Sequence, residues 1–207
     1  MLPRELDKAL THLKKDARFA RVIAKHKKPT FERGRDPFQA LCSAIIYQQL
    51  SGKAAGTIHK RFLGLYKKVK HPSPQQVAKT SVEKFRTVGV SSQKAGYLID
   101  LAKKFLDGTV DPKHFHEMTD DAIRDHLISV KGIGRWTADM FLMFTLHRPD
   151  VLPTGDLGIQ KGMQKLFGLR TLPNPKRMEA LAEPWHPYRT VACWYLWQII
   201  DTKGQFD

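Results

Sequence analysis

Residues 127–161, LISVKGIGRWTADMFLMFTLHRPDVLPTGDLGIQK, contain the pattern that decides the fold of this chain. Gly132 and Gly134 stand one residue apart, which permits a tight turn and close approach of a partner to the backbone. From about Arg135 the apolar residues recur at helical spacing. Because the first amides of a helix lack intrahelical acceptors, a glycine turn at a helix start predicts an anion-binding site.

The same stretch predicts that a carboxylate returns to the turn. A helix of about 13 residues carries the chain roughly 20 Å away from the glycines. The roughly eight residues that follow can span up to about 26 Å in extended form. Asp156, placed directly before a second apolar helix, is therefore predicted to face the same ligand as the turn. Taken alone, Asp156 has the form of a plain N-cap for residues 157–167.

Two segments, KGIGRWTA and LPTGDLGIQKG, resemble the helix-hairpin-helix DNA glycosylase superfamily. The signature of that family is a Gly-hydrophobic-Gly hairpin, followed after one helix by a catalytic aspartate. The resemblance is strongest to the alkylpurine branch, the 3-methyladenine DNA glycosylase II family, and it implies that Asp156 is catalytic. Lyase-active relatives have a catalytic lysine where this chain has Trp136, which implies a monofunctional hydrolase without Schiff-base chemistry.

The charge of the chain is consistent with a nucleic-acid partner. Lys and Arg outnumber Asp and Glu by 35 to 20, a net charge of +15, and the isoelectric point is near 9.9. Such a surplus indicates a polyanion or an acidic membrane surface as partner. No apolar run is long enough for a bilayer, and the first residues lack a signal-peptide core. We therefore expect damaged double-stranded DNA as partner, a monomer, and an intracellular location with the DNA.

Few residues have the pattern of a metal or cofactor site. Cys42 and Cys193 are the only cysteines, too few for the four-cysteine iron–sulfur cluster of some hairpin glycosylases. The nine histidines show no metal-type spacing. We predict no cofactor and no catalytic metal. The resemblance does imply a monovalent cation, Na⁺ or K⁺, held at the hairpin by the backbone carbonyls of Ile128, Val130 and Ile133.

A second motif, DPFQALCSAIIYQQLSGKAA, resembles the same family branch. In that branch, the loop between the two helices enters the minor groove of DNA. Motif position implies that Gln49 is the wedge that fills the gap left by a flipped base, with Ser51 beside it. A wedge is physically needed because an unstacked gap costs a few kcal/mol. The alternative is a polar helix end exposed to water.

The resemblance also assigns the base pocket and the phosphate grip. Trp136 and Trp197 occupy positions that line the base pocket, where an aromatic face attracts a cationic purine by about 0.5–2 kcal/mol. The alternative for both tryptophans is a core role. Further residues belong to these two sites: Tyr47, Gln48 and Met140 as neighbours of the base, and Gly132, Gly134 and Thr137 as amide donors to a DNA phosphate.

The predicted architecture is all-α, because no strand-type alternation persists in the sequence. Asp36, Ser91 and Thr119 have the form of helix starts, and residues 4–28 are predicted to be helical. We expect two helical subdomains flanking a cleft: residues 1–35 with 150–207, and residues 36–149 with the hairpin. The leading hypothesis is a glycosylase that excises 3-methyladenine and 7-methylguanine in base excision repair. Two alternatives stay open: a glycosylase for another lesion, such as a deaminated or oxidised purine, and a non-catalytic DNA-binding module.

Overall fold

A computed structural model describes residues 3–31, 34–66 and 69–200. In these residues all regular secondary structure is helical, so the all-α prediction is confirmed. No helix within the described ranges is long and apolar enough to cross a membrane. The chain separates into two compact units, Gly34–Phe141 and Met1–Arg33 with Leu142–Asp207. The second boundary thus lies within a helix, whereas the sequence had suggested the loop after it.

The unit Gly34–Phe141 is built around one long helix, Ser92–Leu106, which packs against three other helices of the unit. Its described helices, in chain order, are α3 (Pro37–Tyr47), α4 (Gly52–Gly64), α5 (Pro74–Ala78), α6 (Val82–Arg86), the long α7 (Ser92–Leu106), a 3-10 helix (Pro112–Glu117), α8 (Asp120–Ile128) and the start of α9 (Arg135–Phe144). Leu98 and Leu101 on α7 are fully buried, together with Phe85 on α6. These side chains belong to the core of the unit.

The other unit contains both ends of the chain. Its described helices are α1 (Pro3–Leu13), α2 (Ala17–Lys25), α10 (Leu157–Phe167), α11 (Pro175–Ala182), a 3-10 helix (Glu183–Trp185) and α12 (Arg189–Ile199). α10 packs on α12 at Gly162, where an added Cβ would lie 2.6 Å from the Leu196 carbonyl oxygen. The absent side chain therefore allows the two helices to approach closely.

Local capping chemistry explains where several helices begin. The sequence predicted helix starts after Asp36, Ser91 and Thr119, and the structure confirms all three as N-caps. The sequence also predicted one continuous helical stretch over residues 4–28, which is wrong. Asp16 interrupts it, because its carboxylate accepts the Arg18 amide at 2.8 Å and starts α2.

Candidate functional site

The glycine turn between α8 and α9 is a hydrogen-bonded hairpin. The Val130 amide donates to the Leu127 carbonyl at 3.0 Å, and the Ile133 amide donates to the Val130 carbonyl at 3.1 Å. The Gly134 carbonyl then accepts the first bond of α9, from Ala138 at 3.0 Å. The turn therefore leads directly into a helix N-terminus, as the sequence predicted, and the first amides of α9 have no intrahelical acceptor.

The two glycines of the hairpin meet different structural demands. Gly132 has a left-handed backbone (φ 82), and an added Cβ would lie 2.1 Å from the Tyr97 ring. The fold itself therefore requires glycine at 132. At Gly134 an added Cβ would meet no atom within 4 Å. Packing within the protein does not explain the second glycine, whose bare backbone leaves room for a partner.

A buried ion pair joins the two helices of the hairpin. Nε of Arg124 on α8 donates to Oδ1 of Asp139 on α9 at 2.6 Å, and the same guanidinium reaches Asp121 at 2.6 Å. Arg124 is 8% exposed and Asp139 only 2%. Since charge-assisted bonds in a low-dielectric setting are sensitive to geometry, this pair constrains the angle between the helices.

A cavity of about 380 Å³ lies beside the hairpin, and its wall collects most of the predicted DNA-contacting residues of this unit. Six of the sequence-predicted residues line it: Gly132, Gly134, Trp136, Thr137, Gln48 and Gln49. Three further lining residues, Gln93, Lys94 and Tyr97, come from α7 and were assigned no function from the sequence. The cavity thus joins the hairpin to the turn after α3.

Two side chains in this wall have properties that suit a nucleic-acid ligand. Trp136 is 46% exposed, an unusual setting for a large aromatic ring. Gln49 is exposed and has a left-handed backbone, with φ of 55. Non-glycine residues in this conformation are uncommon and concentrate at functional sites.

Three predicted residues of the same unit do not line this cavity. The Tyr47 ring lies edge-on to His59, with centroids 6.0 Å apart, and an added Cβ at Gly56 would lie 3.5 Å from the Tyr47 hydroxyl. Ser51 caps α4, where its hydroxyl accepts the Ala54 amide at 3.4 Å. Met140 is half-buried on α9. Their assignment to base or DNA contact stays a prediction.

Asp156 is the N-cap of α10 and is buried, with 8% of its surface exposed. Its Oδ1 accepts two hydrogen bonds, from the Ile159 amide at 2.8 Å and from the Trp197 indole N–H at 3.0 Å. One donor belongs to the local cap of α10 and the other to α12, and both bind the same carboxylate oxygen. Capping and a chemical role are therefore compatible, since the same bonds also hold the carboxylate in one orientation.

Trp197 lies in the core and is only 2% exposed, as the alternative of a core role for this residue predicted. Its indole nevertheless belongs to the Asp156 arrangement through the bond described above, and its role as a wall of the base pocket stays a prediction. Gly158 makes the arrangement possible. A Cβ there would lie 2.8 Å from Cδ1 of Trp197 and 3.0 Å from Oδ1 of Asp156. No sequence pattern in this chain marked Gly158 as special.

No group of three or more His, Cys, Asp or Glu residues within the described ranges could hold a metal ion. Both cysteines are buried thiols, and burial raises the pKa of Cys42. Of the three hairpin carbonyls assigned to a monovalent cation, that of Val130 accepts the turn amide of Ile133 and retains a second lone pair. The monovalent cation at these carbonyls stays a prediction.

The fold and these sites define a helical protein with a helix-hairpin-helix motif and a buried, oriented aspartate. Residues 42–187 match the model of the HhH-GPD superfamily of base excision DNA repair proteins, and the chain belongs to that family. It is 31% identical over 182 residues to DNA-3-methyladenine glycosylase 1 of Schizosaccharomyces pombe, covering 87% of this chain and 80% of the relative.

Two solved structures are similar along nearly the whole chain. DNA-3-methyladenine glycosidase from Bacillus halodurans has a TM-score of 0.83 at 35% identity, covering 93% of this chain and 88% of that one. The 3-methyladenine DNA glycosylase of Schizosaccharomyces pombe, in complex with abasic DNA, has a TM-score of 0.78 at 31% identity. That match covers 92% of this chain and 95% of the other.

Proposed function

We propose that this protein is a monofunctional DNA glycosylase that flips alkylated purines, such as 3-methyladenine and 7-methylguanine, out of duplex DNA and hydrolyses their N-glycosidic bond. The observation that carries this proposal is the buried Asp156 carboxylate, held by the Ile159 amide and the Trp197 indole. A merely structural cap needs only the helix amide. A second donor from a distant helix indicates that the orientation of this carboxylate matters.

The chemistry follows from the charge of the leaving group. The C1′–N bond of an alkylated purine breaks with both electrons leaving on the base, and the deoxyribose acquires oxocarbenium character. The Asp156 carboxylate stabilises that positive charge and orients the water that adds to C1′, and the proton that this water loses passes to the surrounding solvent. An alkylated purine carries positive charge before the reaction and needs little acid assistance to leave.

Recognition is assigned to the cavity beside the hairpin. The exposed Trp136 ring provides a face for the cationic base, and Gln49 enters the gap that the base leaves. The amides at the start of α9, with the bare backbone of Gly134, grip a DNA phosphate. Because Trp136 replaces the lysine that lyase-active relatives need, the abasic strand is left uncut.

The decisive experiment compares wild type with Asp156→Asn. Asparagine is an equally good N-cap, so the fold is maintained while the charge is lost. We expect base release from methylated duplex DNA, identified by chromatography, to fall at least about 100-fold, the loss typical of one transition-state-stabilising group. Affinity for a duplex containing a tetrahydrofuran abasic analogue should change little. Asp125→Asn on the exposed face of α8 is the matched control.

Each alternative predicts a distinct outcome. A non-catalytic DNA-binding module would release no base in the wild type, although binding would persist and weaken with salt. A glycosylase for another lesion would release a deaminated or oxidised purine in preference to 3-methyladenine or 7-methylguanine. Strand cleavage without added alkali, or a covalent complex trapped by borohydride, would contradict the monofunctional assignment.

A further inference from the structure

The turn after α3 holds a residue in a costly conformation. Gln49 has a left-handed backbone, with φ of 55, a conformation that is strained for a non-glycine residue. Such a conformation persists only where the surroundings hold it in place. The groups that hold this turn therefore control where Gln49 lies.

One of these groups is the ammonium of Lys94. Its Nζ donates to the Ile46 carbonyl at 2.8 Å and to the Gln48 carbonyl at 2.7 Å. Since α3 ends at Tyr47, carbonyls at this point lack helical donors, and a cation is the favoured partner. Burial lowers the pKa of Lys94, as expected for an ammonium partly removed from water.

The backbone of Lys94 is fixed as well. Its amide donates to the Ser91 hydroxyl at 3.2 Å, at the start of α7. Three residues later on the same helix, Tyr97 packs against the Gly132 backbone. The side-chain amide of Gln48 completes the arrangement by donating to the Gly132 carbonyl at 2.8 Å. The turn, the start of α7 and the hairpin are thereby joined around one cavity.

We propose that Lys94 is the positioning residue of the turn that carries Gln49: by binding the Ile46 and Gln48 carbonyls, it holds the turn in the conformation that presents Gln49 to the gap left by a flipped base. This inference rests on the proposed function and extends it. Lys94 thus acts through Gln49, and its bonds to protein carbonyls distinguish it from a lysine that grips phosphate.

The test uses Lys94→Met, which keeps the length of the side chain and removes both donors. The exposed Lys84→Met is the control for the loss of one positive charge. Single-turnover release of 7-methylguanine is measured from a stable pair with cytosine and from a mismatch with adenine. We expect Lys94→Met to lower the first rate about tenfold, consistent with the loss of charge-assisted bonds, and the second less than about twofold. Equal loss on both substrates would overturn the proposal.

A double-mutant cycle with Gln49→Ala separates positioning from direct contact. If Lys94 acts through Gln49, the double variant should be no slower on the stable pair than the slower single variant. Multiplied losses would show an independent action and overturn the proposal. Lys94→Arg, which keeps a cation with several donors, should retain the wild-type ratio of the two rates; a ratio like that of Lys94→Met would contradict the donor role.

Two further outcomes are distinguishable. If the wild-type protein releases no alkylated base, the proposed function is wrong. If the wild type is active and Lys94→Met releases the base at the wild-type rate, only the positioning role is wrong. If Lys94→Met does not fold, DNA binding by the variants Lys94→Arg and Gln49→Ala still tests the positioning role. Affinity for a duplex with a tetrahydrofuran gap should fall about tenfold in Gln49→Ala and remain at the wild-type value in Lys94→Arg. A loss in Lys94→Arg equal to that in Gln49→Ala would overturn the proposal.

Discussion

The indole N–H of Trp197 donates to Oδ1 of Asp156 over 3.0 Å, although the two residues are 41 positions apart in the chain. Asp156 begins α10 and Trp197 lies near the end of α12, and these helices pack against each other. The orientation of the carboxylate is therefore set by helix packing in addition to the local cap. This bond leads to the first two predictions.

Replacing Trp197 by Phe keeps an aromatic ring in the core and removes the donor. A hydrogen bond to a charged group contributes about 1.5–3 kcal/mol. If the bond orients Asp156 for the reaction, the single-turnover rate should fall by about tenfold to 100-fold. Duplex affinity should stay at the wild-type value. Trp194→Phe on the same helix is the control, and a wild-type rate for Trp197→Phe would show that the bond is dispensable.

Gly158→Ala should lower the rate through crowding alone. The new methyl group would lie 2.8 Å from the Trp197 ring and 3.0 Å from Oδ1 of Asp156, so these two side chains must move apart. Alanine otherwise favours a helix by about 0.5–1 kcal/mol over glycine. Kinetics and thermal unfolding of Gly158→Ala should be compared with Gly64→Ala, where the methyl group meets no atom within 4 Å. Equal rates and equal unfolding temperatures for the two variants would show that crowding at position 158 has no effect.

Substitutions of the two hairpin glycines should differ in their effects on stability and on DNA binding. Gly132→Ala places an alanine in the left-handed backbone region, which costs about 1–2 kcal/mol. Its Cβ would also lie 2.1 Å from the Tyr97 ring. Its free energy of unfolding should fall, and DNA affinity should fall with it. Gly134→Ala meets no protein atom within 4 Å, so its stability should change by less than about 0.5 kcal/mol.

Gly134→Ala should nevertheless weaken DNA binding about tenfold, because the methyl group would occupy the space that a phosphate needs near the amides of α9. Denaturant unfolding and fluorescence anisotropy with duplex DNA measure the two properties. Unchanged DNA affinity in Gly134→Ala would exclude close approach of the phosphate at this position.

The buried ion pair of the hairpin should be a determinant of stability. Arg124→Met leaves Asp139, only 2% exposed, without its bond from Nε, and breaking a buried pair costs about 3–5 kcal/mol. The double variant Arg124→Met with Asp139→Leu should recover much of that loss, since both charges are then removed. Denaturant unfolding measures the three free energies. A single variant as stable as wild type would show that the pair is energetically neutral.

Local patterns in the sequence predicted much of this structure. The N-caps Asp36, Ser91 and Thr119 were correct because a cap depends on side-chain and amide groups only three residues apart. The hairpin was predicted from its glycine spacing for the same reason. The continuous stretch over residues 4–28 was wrong because apolar spacing outweighed the capping signal of Asp16 in that reading.

Local patterns could not predict contacts between residues that are distant in the sequence. The sequence assigned Lys94 no function, because nothing near it in sequence reveals that its ammonium binds carbonyls at the end of α3. Gly158 carried no signal either, since the reason for glycine is an indole from another helix. No local pattern indicated that the Tyr47 ring lies edge-on to His59, and the assignment of Tyr47 to the base pocket stays a prediction.

The sequence by itself determined the helical class, the hairpin, the cap at Asp156 and the excess of positive charge. Periodicity and turn chemistry depend on residues close together in the chain, and net charge is a sum over all residues. Tertiary structure alone decided which side chains meet: Trp197 with Asp156, Arg124 with Asp139, and Lys94 with the turn of Gln49. Each meeting depends on how helices distant in sequence pack, and packing depends on the shapes of many side chains at once.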